Sequence, residues 1–369
     1  MPGIYIHIPF CISKCRYCDF TSYPGKIGFA EAYMACVYKE MKLRAKDLSD
    51  RVFDTVYFGG GTPSVIDAKL IVGCMNRLRG CYRLADGAEI TIEPNPGTVD
   101  AEKIAAYRRA GINRFSIGLQ TAVDSQLEEL GRIHTAADFL QACELIGDAN
   151  KSADIMIGLK GQTAEQVRAS IDLAVRGGVS HISMYALTPE DGTPIYTDYL
   201  NGELPDSDEV AALYDGARSY LAGCGFERYE VSNFAKKGFE SRHNLNYWKR
   251  GEYIGFGVDA SSFMGGRRFT NTRDLDEYIK CILSNYYPVV ADEKIGEEDA
   301  RFETVMLSLR TAKGLDIAEY RARFGSDFYK DFAAPLKKNA AYLDCTDTSV
   351  RIKDAYLYVQ NTIIIDFLS

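Results

Sequence analysis

The sequence predicts an α/β fold, a barrel or partial barrel of parallel strands followed by a small helical, winged-helix-like domain. Three observations carry that expectation. Short β-branched runs alternate with helical periodicity six times between Met1 and Asp191, which implies parallel strands joined by crossover helices. Every distinctive motif falls at the end of one of those runs, where the βα loops of such barrels carry their chemistry. From about Gly296 onward the alternation gives way to amphipathic helices.

Taken in order, Ile4–Ile8 reads as the first strand. It runs into a polar loop holding Cys11, Cys15 and Cys18 at CxxxCxxC spacing, and a helix from Ile27 to Leu48 follows. Thr55–Phe58 is the second strand, ending in Gly59-Gly60-Gly61-Thr62-Pro63, with a helix at Ala68–Arg79 behind it. Glu89–Ile92 ends in Glu93-Pro94-Asn95-Pro96, and a helix at Asp100–Ala110 leads into Arg114–Ile117, which ends in Gly118-Leu119-Gln120. Helical patterns continue to Asp148. Asp154–Ile157 ends in Gly158–Gln162, a helix covers Ala164–Arg176, and His181–Tyr185 is the sixth strand. Beyond Gly296, helices are expected at Glu297–Leu309, Ile317–Phe324 and Phe328–Tyr342, then a strand at Ala355–Val359 and a terminal helix at Asn361–Leu368. The expected division is 1–235 for the barrel, 236–295 for a connecting region and 296–369 for the C-terminal domain.

A length of 369 residues suits a large α/β domain with a smaller appendage. Apolar content of 46% with 25% charged residues is ordinary for a soluble globular chain. A net charge of −8 argues against a nucleic-acid backbone as the main partner. No apolar run reaches membrane-spanning length, and the N-terminus lacks the basic and apolar regions of a signal peptide. The expectation is therefore a cytoplasmic protein. Of the ten cysteines, seven are scattered singly (Cys36, Cys74, Cys81, Cys143, Cys224, Cys281, Cys345). In a reducing compartment these read as small hydrophobes. The clustered trio calls for chemistry.

Three thiolates so close in sequence can hold three corners of an iron–sulfur cluster and leave its fourth iron open. A structural zinc site normally takes four closed ligands built from CxxC pairs, and no second pair occurs here, so zinc is the weaker reading. GGGTP is not a phosphate-binding P-loop, since no GK[ST] follows. Its adjacent glycines do let a ligand approach the backbone. Each of these turns alone reads as punctuation; five on one rim point to a shared site. Glu93 offers a carboxylate to ribose hydroxyls or an amine. Gln120 adds a neutral donor, Arg132 a cation and Asp154 a second carboxylate. A zwitterionic, nucleoside-like ligand would satisfy all four.

CISKCRYC (Cys11–Cys18), GGGTPS, IEPNPG and SIGLQ together resemble the radical S-adenosylmethionine superfamily. YIHIPFC narrows the resemblance to the coproporphyrinogen-oxidase-like branch. It extends through YEVSNFAKKGFESRHNLNYW (Tyr229–Trp248) into the C-terminal region, and its nearest form is the HemW-type haem chaperone. The resemblance implies a partial (β/α)6, TIM-like barrel with a C-terminal helical domain. It implies that Cys11, Cys15 and Cys18 ligate a [4Fe–4S] cluster whose open iron is chelated by S-adenosylmethionine. Tyr5 and Tyr17 would lie beside the cluster loop, and Gly60, Gly61 and Thr62 would line the methionine moiety. Glu93, Gln120, Arg132, Asp154 and Ala186 match cofactor-contacting positions of the oxidase branch, where some of them contact a second S-adenosylmethionine.

Two departures separate chaperone from oxidase. The oxidase pattern has a further cysteine two residues past the third, where this chain has Phe20, and an N-terminal extension before its cysteine loop. Both favour a chaperone that binds haem and hands it to acceptor proteins. The other reading is a radical enzyme that decarboxylates coproporphyrinogen, or otherwise modifies a tetrapyrrole, through a 5′-deoxyadenosyl radical. An electron donor to the cluster is an implied partner, and any membrane contact would be peripheral, through an acceptor. The C-terminal domain would cover the barrel mouth or dock a protein; the acidic chain disfavours DNA. His243, in the run Arg242–Trp248 typical of the chaperone type, reads either as a hydrogen-bonded structural residue or as a haem ligand. Lys249, Arg250, Arg267 and Arg268 read either as partners of haem propionates or as solvated charges. Ser261 stands where the chaperone type usually has a histidine, and Lys160 where the family usually has proline.

Overall fold

Six parallel strands form the barrel wall of the computed structural model, which describes residues 1–48 and 50–368. They are β1 (Gly3–Ile8), β2 (Val52–Gly60), β3 (Arg83–Ile92), β4 (Arg114–Gln120), β5 (Asn150–Ile157) and β6 (His181–Ala186), each paired in parallel with the next. Their middles are buried on both faces, which is why they read as near-continuous apolar runs. The crossovers are α1 (Ala30–Leu48), α2 (Ala68–Cys81), α3 (Ala101–Arg109), α4 (Asp124–Glu129) with α5 (Ala136–Ile146), and α6 (Ala164–Arg176). Local chemistry fixes their starts. Thr135 with Asp138 and Thr163 with Gln166 form reciprocal capping boxes at α5 and α6.

After β6 come α7 (Pro194–Leu200) and α8 (Ser207–Gly223), then β7 (Glu227–Arg228) and β8 (Asn233–Ala235). α9 (Arg242–Trp248) precedes β9 (Tyr253–Phe256), β10 (Ser261–Met264), β11 (Arg267–Asn271), α10 (Leu275–Leu283) and β12 (Val289–Lys294). The sheet order is β12-β11-β10-β9-β1-β2-β3-β4-β5-β6-β8-β7, linear among the described residues, so the barrel is partial. β9 adds to β1 in parallel, and β10 to β12 continue antiparallel. The segment 236–295 thus extends the barrel's own sheet.

The C-terminal part holds a second apolar core running from Val305 to Phe367, distinct from the barrel core. It comprises α11 (Glu297–Ser308), α12 (Ile317–Phe324), α13 (Phe328–Asp331), α14 (Ala333–Lys338) and α15 (Gln360–Ile365) around a small antiparallel sheet of β13 (Leu315–Asp316), β14 (Leu343–Cys345) and β15 (Ser349–Ile352). Two expectations are corrected here. The helix over Phe328–Tyr342 breaks at Phe332, because Pro335 has no N–H for the Asp331 carbonyl and its ring crowds that oxygen. Ala355–Val359 is 3-10 helix, not strand. Leu343–Cys345 and Ser349–Ile352 already fill the sheet, and Tyr356 N–H turns back to the Lys353 carbonyl at 2.9 Å. All ten cysteines are free; Cys36, Cys74 and Cys143 are buried as small hydrophobes, whereas Cys345 is exposed.

One buried charge ties α1 to the extension of the sheet. Glu40 is fully buried and accepts from Arg44 Nε at 3.0 Å, Asn271 Nδ2 at 2.9 Å, Tyr278 O–H at 2.8 Å and Gly257 N–H at 2.9 Å. Removing the carboxylate strands the buried Arg44 guanidinium. Glu40→Ala is expected to cost about 3–5 kcal/mol of stability in denaturant unfolding; a loss below about 1 kcal/mol would contradict this role for Glu40.

Candidate functional site

The C-terminal ends of β1 to β6 converge on a cavity of about 500 Å³, and the cysteine loop forms one of its walls. Phe10–Cys11 pairs with Tyr23–Pro24 and closes that loop at its base. Arg16 pins its middle: the Arg16 N–H donates to the Leu130 carbonyl and the Arg16 carbonyl accepts from Ile195 N–H, both at 3.1 Å. Cys11, Cys15 and Cys18 all line the cavity, with Tyr17 between them. Burial pushes the Cys11 and Cys18 thiols up.

The glycine turn after β2 lies directly against this loop. Gly61 N–H donates to the Ile8 carbonyl at 2.9 Å and Thr62 N–H to the Phe10 carbonyl at 2.8 Å. A Cβ on Gly61 would meet the Phe10 carbonyl at 2.8 Å and Cys11 Sγ at 2.9 Å. Gly60 sits at φ +116°, and a Cβ there would strike the His7 ring at 2.7 Å. Neither position accepts a side chain. Thr62 Oγ1 lies 3.6 Å from Cys11 Sγ.

Opposite the thiols the strand ends supply polar groups. Glu93 is held by the Tyr57 hydroxyl, which donates to Oε1 at 2.7 Å; burial nevertheless pushes its carboxyl up to about 7. Burial likewise pushes Asp154 up to about 6. Gln120 ends β4 at φ +68°, a left-handed backbone that costs a non-glycine residue on the order of 1 kcal/mol or more. Arg132 donates through Nη2 to the Gly118 carbonyl at 3.1 Å, and its Nη1 lies 3.7 Å from Cys15 Sγ. Its Nε is buried without a partner. Ala186 completes the rim.

Two expected residues stand apart from this cavity. Tyr5 faces a neighbouring cavity, its hydroxyl 3.0 Å from His7 Nδ1. His243 is enclosed by hydrogen-bond partners. It is buried, Nδ1 pairs with Thr55 Oγ1 at 2.7 Å and Nε2 with the Tyr247 hydroxyl at 2.8 Å, and its ring stacks on Tyr57. Desolvation pulls it down to about 3, so the ring is neutral and both its nitrogens are used. Of the four basic residues, Arg250, Arg267 and Arg268 are paired with Glu303, Asp292 and Glu293, while Lys249 is exposed. Lys160 pairs with Glu203 at 2.5 Å on the surface. Sequence reasoning missed Tyr57 and Ser116. The two-residue period of a strand was the available signal: Tyr57 lies two before Gly59, and Ser116 two before Gly118, on inward-facing rows.

The raised carboxyls make a pH prediction. Glu93 and Asp154 bind protons more tightly folded than unfolded, so the stability they contribute is complete below their ordinary values of 4.5 and 3.8 and is lost as pH rises through about 6 to 7. In the ligand-free chain, Glu93→Gln with Asp154→Asn is expected to flatten the decline in unfolding free energy between about pH 4 and 8. A decline as steep as that of the unaltered chain would contradict the burial of both charges.

The chain is similar to known proteins over most of its length. The family model described as "Radical SAM superfamily" matches residues 5–174, and "HemN C-terminal domain" matches residues 295–353. The chain is 34% identical over 328 residues to the heme chaperone HemW of Mycobacterium tuberculosis, covering 87% of this chain and 84% of that one. Against heme chaperone HemW of Bacillus subtilis the identity is 33% over 343 residues, covering 91% and 90%. The fold of coproporphyrinogen III oxidase (HemN) from Escherichia coli superposes with a TM-score of 0.88 over 100% of this chain and 90% of that one, at 20% identity. A radical S-adenosylmethionine barrel and a HemN-type C-terminal domain are therefore joined here in the order of those relatives, and the chain belongs to the HemW family of the radical SAM superfamily.

Proposed function

We propose that this chain is a haem chaperone, which holds a [4Fe–4S] cluster and S-adenosylmethionine at the barrel mouth and passes haem to acceptor proteins. The observation that carries the reading is one cavity in which three free thiols face Glu93, Gln120 and Arg132, in a chain of the HemW family. The donor set fits a polynuclear cluster. Among the described residues no three of His, Cys, Asp and Glu converge as they would around a single ion; the three thiols instead share one cavity wall, as separate irons of a cluster would need.

Cys11, Cys15 and Cys18 would hold the cluster, and Gly60, Gly61 and Thr62 would admit the methionine part of the cofactor against bare backbone. Glu93, already bonded to Tyr57, would accept from a cationic amine or ribose hydroxyl, which would draw off its proton. The free Nε of Arg132 would take an acceptor. When bound, the cluster with its cofactor supplies one-electron chemistry. Phe20, 69% exposed at the cavity edge, offers no thiol where the oxidase pattern has one. With Ile12 and Ile133 it makes an apolar rim beside the cluster loop, which suits a protein partner such as a haem acceptor or an electron donor. Ten free cysteines favour a reducing, cytoplasmic setting. Among the described residues no helix is long and apolar enough to cross a membrane.

Anaerobic reconstitution is expected to give about four irons and four sulfides per chain, with a marked fall for Cys15→Ala. The reconstituted chain should bind hemin and leave coproporphyrinogen III intact. Stoichiometric zinc in place of iron would contradict the cluster, and decarboxylation of coproporphyrinogen III would contradict the chaperone reading in favour of the enzyme.

A further inference from the structure

Glu93 stands on the wall that the cysteine-lined cavity shares with a second cavity of about 580 Å³. An ionised carboxylate in so desolvated a position needs donors to hold its charge and its orientation. The Tyr57 hydroxyl is such a donor, 2.7 Å from Glu93 Oε1. Tyr57 itself lines neither cavity.

The surroundings of Tyr57 hold that hydroxyl in place. Within β2, Tyr57 is in register with Tyr5 of β1 on one side and Thr91 of β3 on the other. Its ring stacks on Tyr5 at 6.3 Å and on His243 at 5.0 Å. His243 is fixed in turn by Thr55 and Tyr247 at its two ring nitrogens. Gly59 leaves room for the contact with Glu93. A Cβ there would meet Tyr57 Cε1 at 3.0 Å and both Glu93 carboxylate oxygens at 3.2 Å. The first glycine of GGGTP therefore serves this pair, while Gly60 and Gly61 clear His7 and the cysteine loop. On the carboxylate side, Glu93 N–H donates to the Phe58 carbonyl at 3.0 Å, which ties its backbone to the residue after Tyr57.

Few groups decide the charge of Glu93. Burial opposes its ionised form, as does the Asp154 carboxylate of β5, whereas the Tyr57 hydroxyl and the Gly60 N–H favour it. Arg132 and Arg114 act on Asp154 instead. Tyr5 of β1 and Tyr185 of β6 also face Glu93, and burial holds both phenols neutral. Tyr57 is kept protonated first by burial and then by the Glu93 charge, so it remains a donor. Among the described residues no other side chain donates to this carboxylate.

We propose that Tyr57 is the positioning residue that readies Glu93 for S-adenosylmethionine. Its hydroxyl fixes Oε1 and favours the ionised carboxylate, which accepts from the amine or ribose hydroxyl of the ligand. Tyr57 acts through Glu93 and not by contact. The proposal rests on the cofactor reading given above and adds to it the residue that prepares the carboxylate.

Tyr57→Phe keeps the ring and its stacking and removes only the hydroxyl, and thermal melting checks its fold. Two measurements separate positioning from packing. In the ligand-free chain, urea unfolding is followed from about pH 5 to about pH 9 for the unaltered protein, Tyr57→Phe, Glu93→Gln and the double variant. Without the hydroxyl, Glu93 stays neutral to higher pH, so the stability it loses on ionising is lost over a longer span. The deficit of Tyr57→Phe is expected to grow as pH rises through about 7, and to stay level in the Glu93→Gln background. In the reconstituted chain, Tyr57→Phe is expected to bind S-adenosylmethionine about tenfold more weakly near neutral pH, with the gap narrowing as pH rises. A deficit independent of pH, or one that grows equally in the Glu93→Gln background, would overturn the proposal. So would unchanged S-adenosylmethionine affinity in Tyr57→Phe. A variant that fails to fold even at about pH 5, where Glu93 is neutral, would also overturn it, by making the hydroxyl structural. An unaltered reconstituted chain that does not bind S-adenosylmethionine would overturn the cofactor reading itself, and this role with it.

Discussion

The site depends on how closely two loops approach. The glycine turn after β2 lies so near the cysteine loop that a single methyl group at Gly61 would overlap Cys11 Sγ and the Phe10 carbonyl. Backbone bonds from Gly61 to Ile8 and from Thr62 to Phe10 hold that approach without side chains. The thiols are thereby placed at the mouth of the barrel, facing the ends of β3, β4 and β5. Any substitution that widens the gap moves Cys11 relative to every polar group opposite it.

The opposite wall obeys a second constraint, the removal of carboxylates from water. Glu93 and Asp154 sit deep enough that burial outweighs the hydrogen bonds favouring their charged forms. Arg132, beside Cys15 and Tyr17, keeps a buried donor free. A ligand carrying both an amine and acceptor oxygens would relieve all three groups at once. The site is therefore polar, desolvated and under-satisfied by the protein's own groups, which is the condition of a pre-organised binding site.

Much of this was legible in the sequence because it is written in local, short-range patterns. The alternation of β-branched runs with helical periods located all six barrel strands, and Glu93 and Gln120 from the motifs at their ends, with Arg132 and Asp154, were expected to serve one ligand. The structure brings those four together with the three cysteines and the glycine turn in one cavity. What stayed hidden depends on contacts across long sequence separations. The partners of His243 are one case: Thr55 and Tyr247, far from it or a turn away, pair with its two ring nitrogens. Glu40 was not singled out in the sequence, and its burial depends on Asn271 and Tyr278, more than two hundred residues away. The second cavity takes its walls from residues as far apart as Tyr5 and Leu307, and no periodicity announces it. The strand expected at Ala355–Val359 failed for a related reason. Its residues have strand propensity, but the sheet positions were already taken by nearer partners.

The approach of the two loops makes one claim in physical terms: the three thiols and the polar strand ends opposite them would hold one cluster with its S-adenosylmethionine. Electron paramagnetic resonance of the reduced, reconstituted chain, recorded with and without S-adenosylmethionine, reads that contact directly. A change in the cluster signal on adding S-adenosylmethionine, weakened in Glu93→Gln, is the result this arrangement requires. A signal unchanged by saturating S-adenosylmethionine would contradict the arrangement.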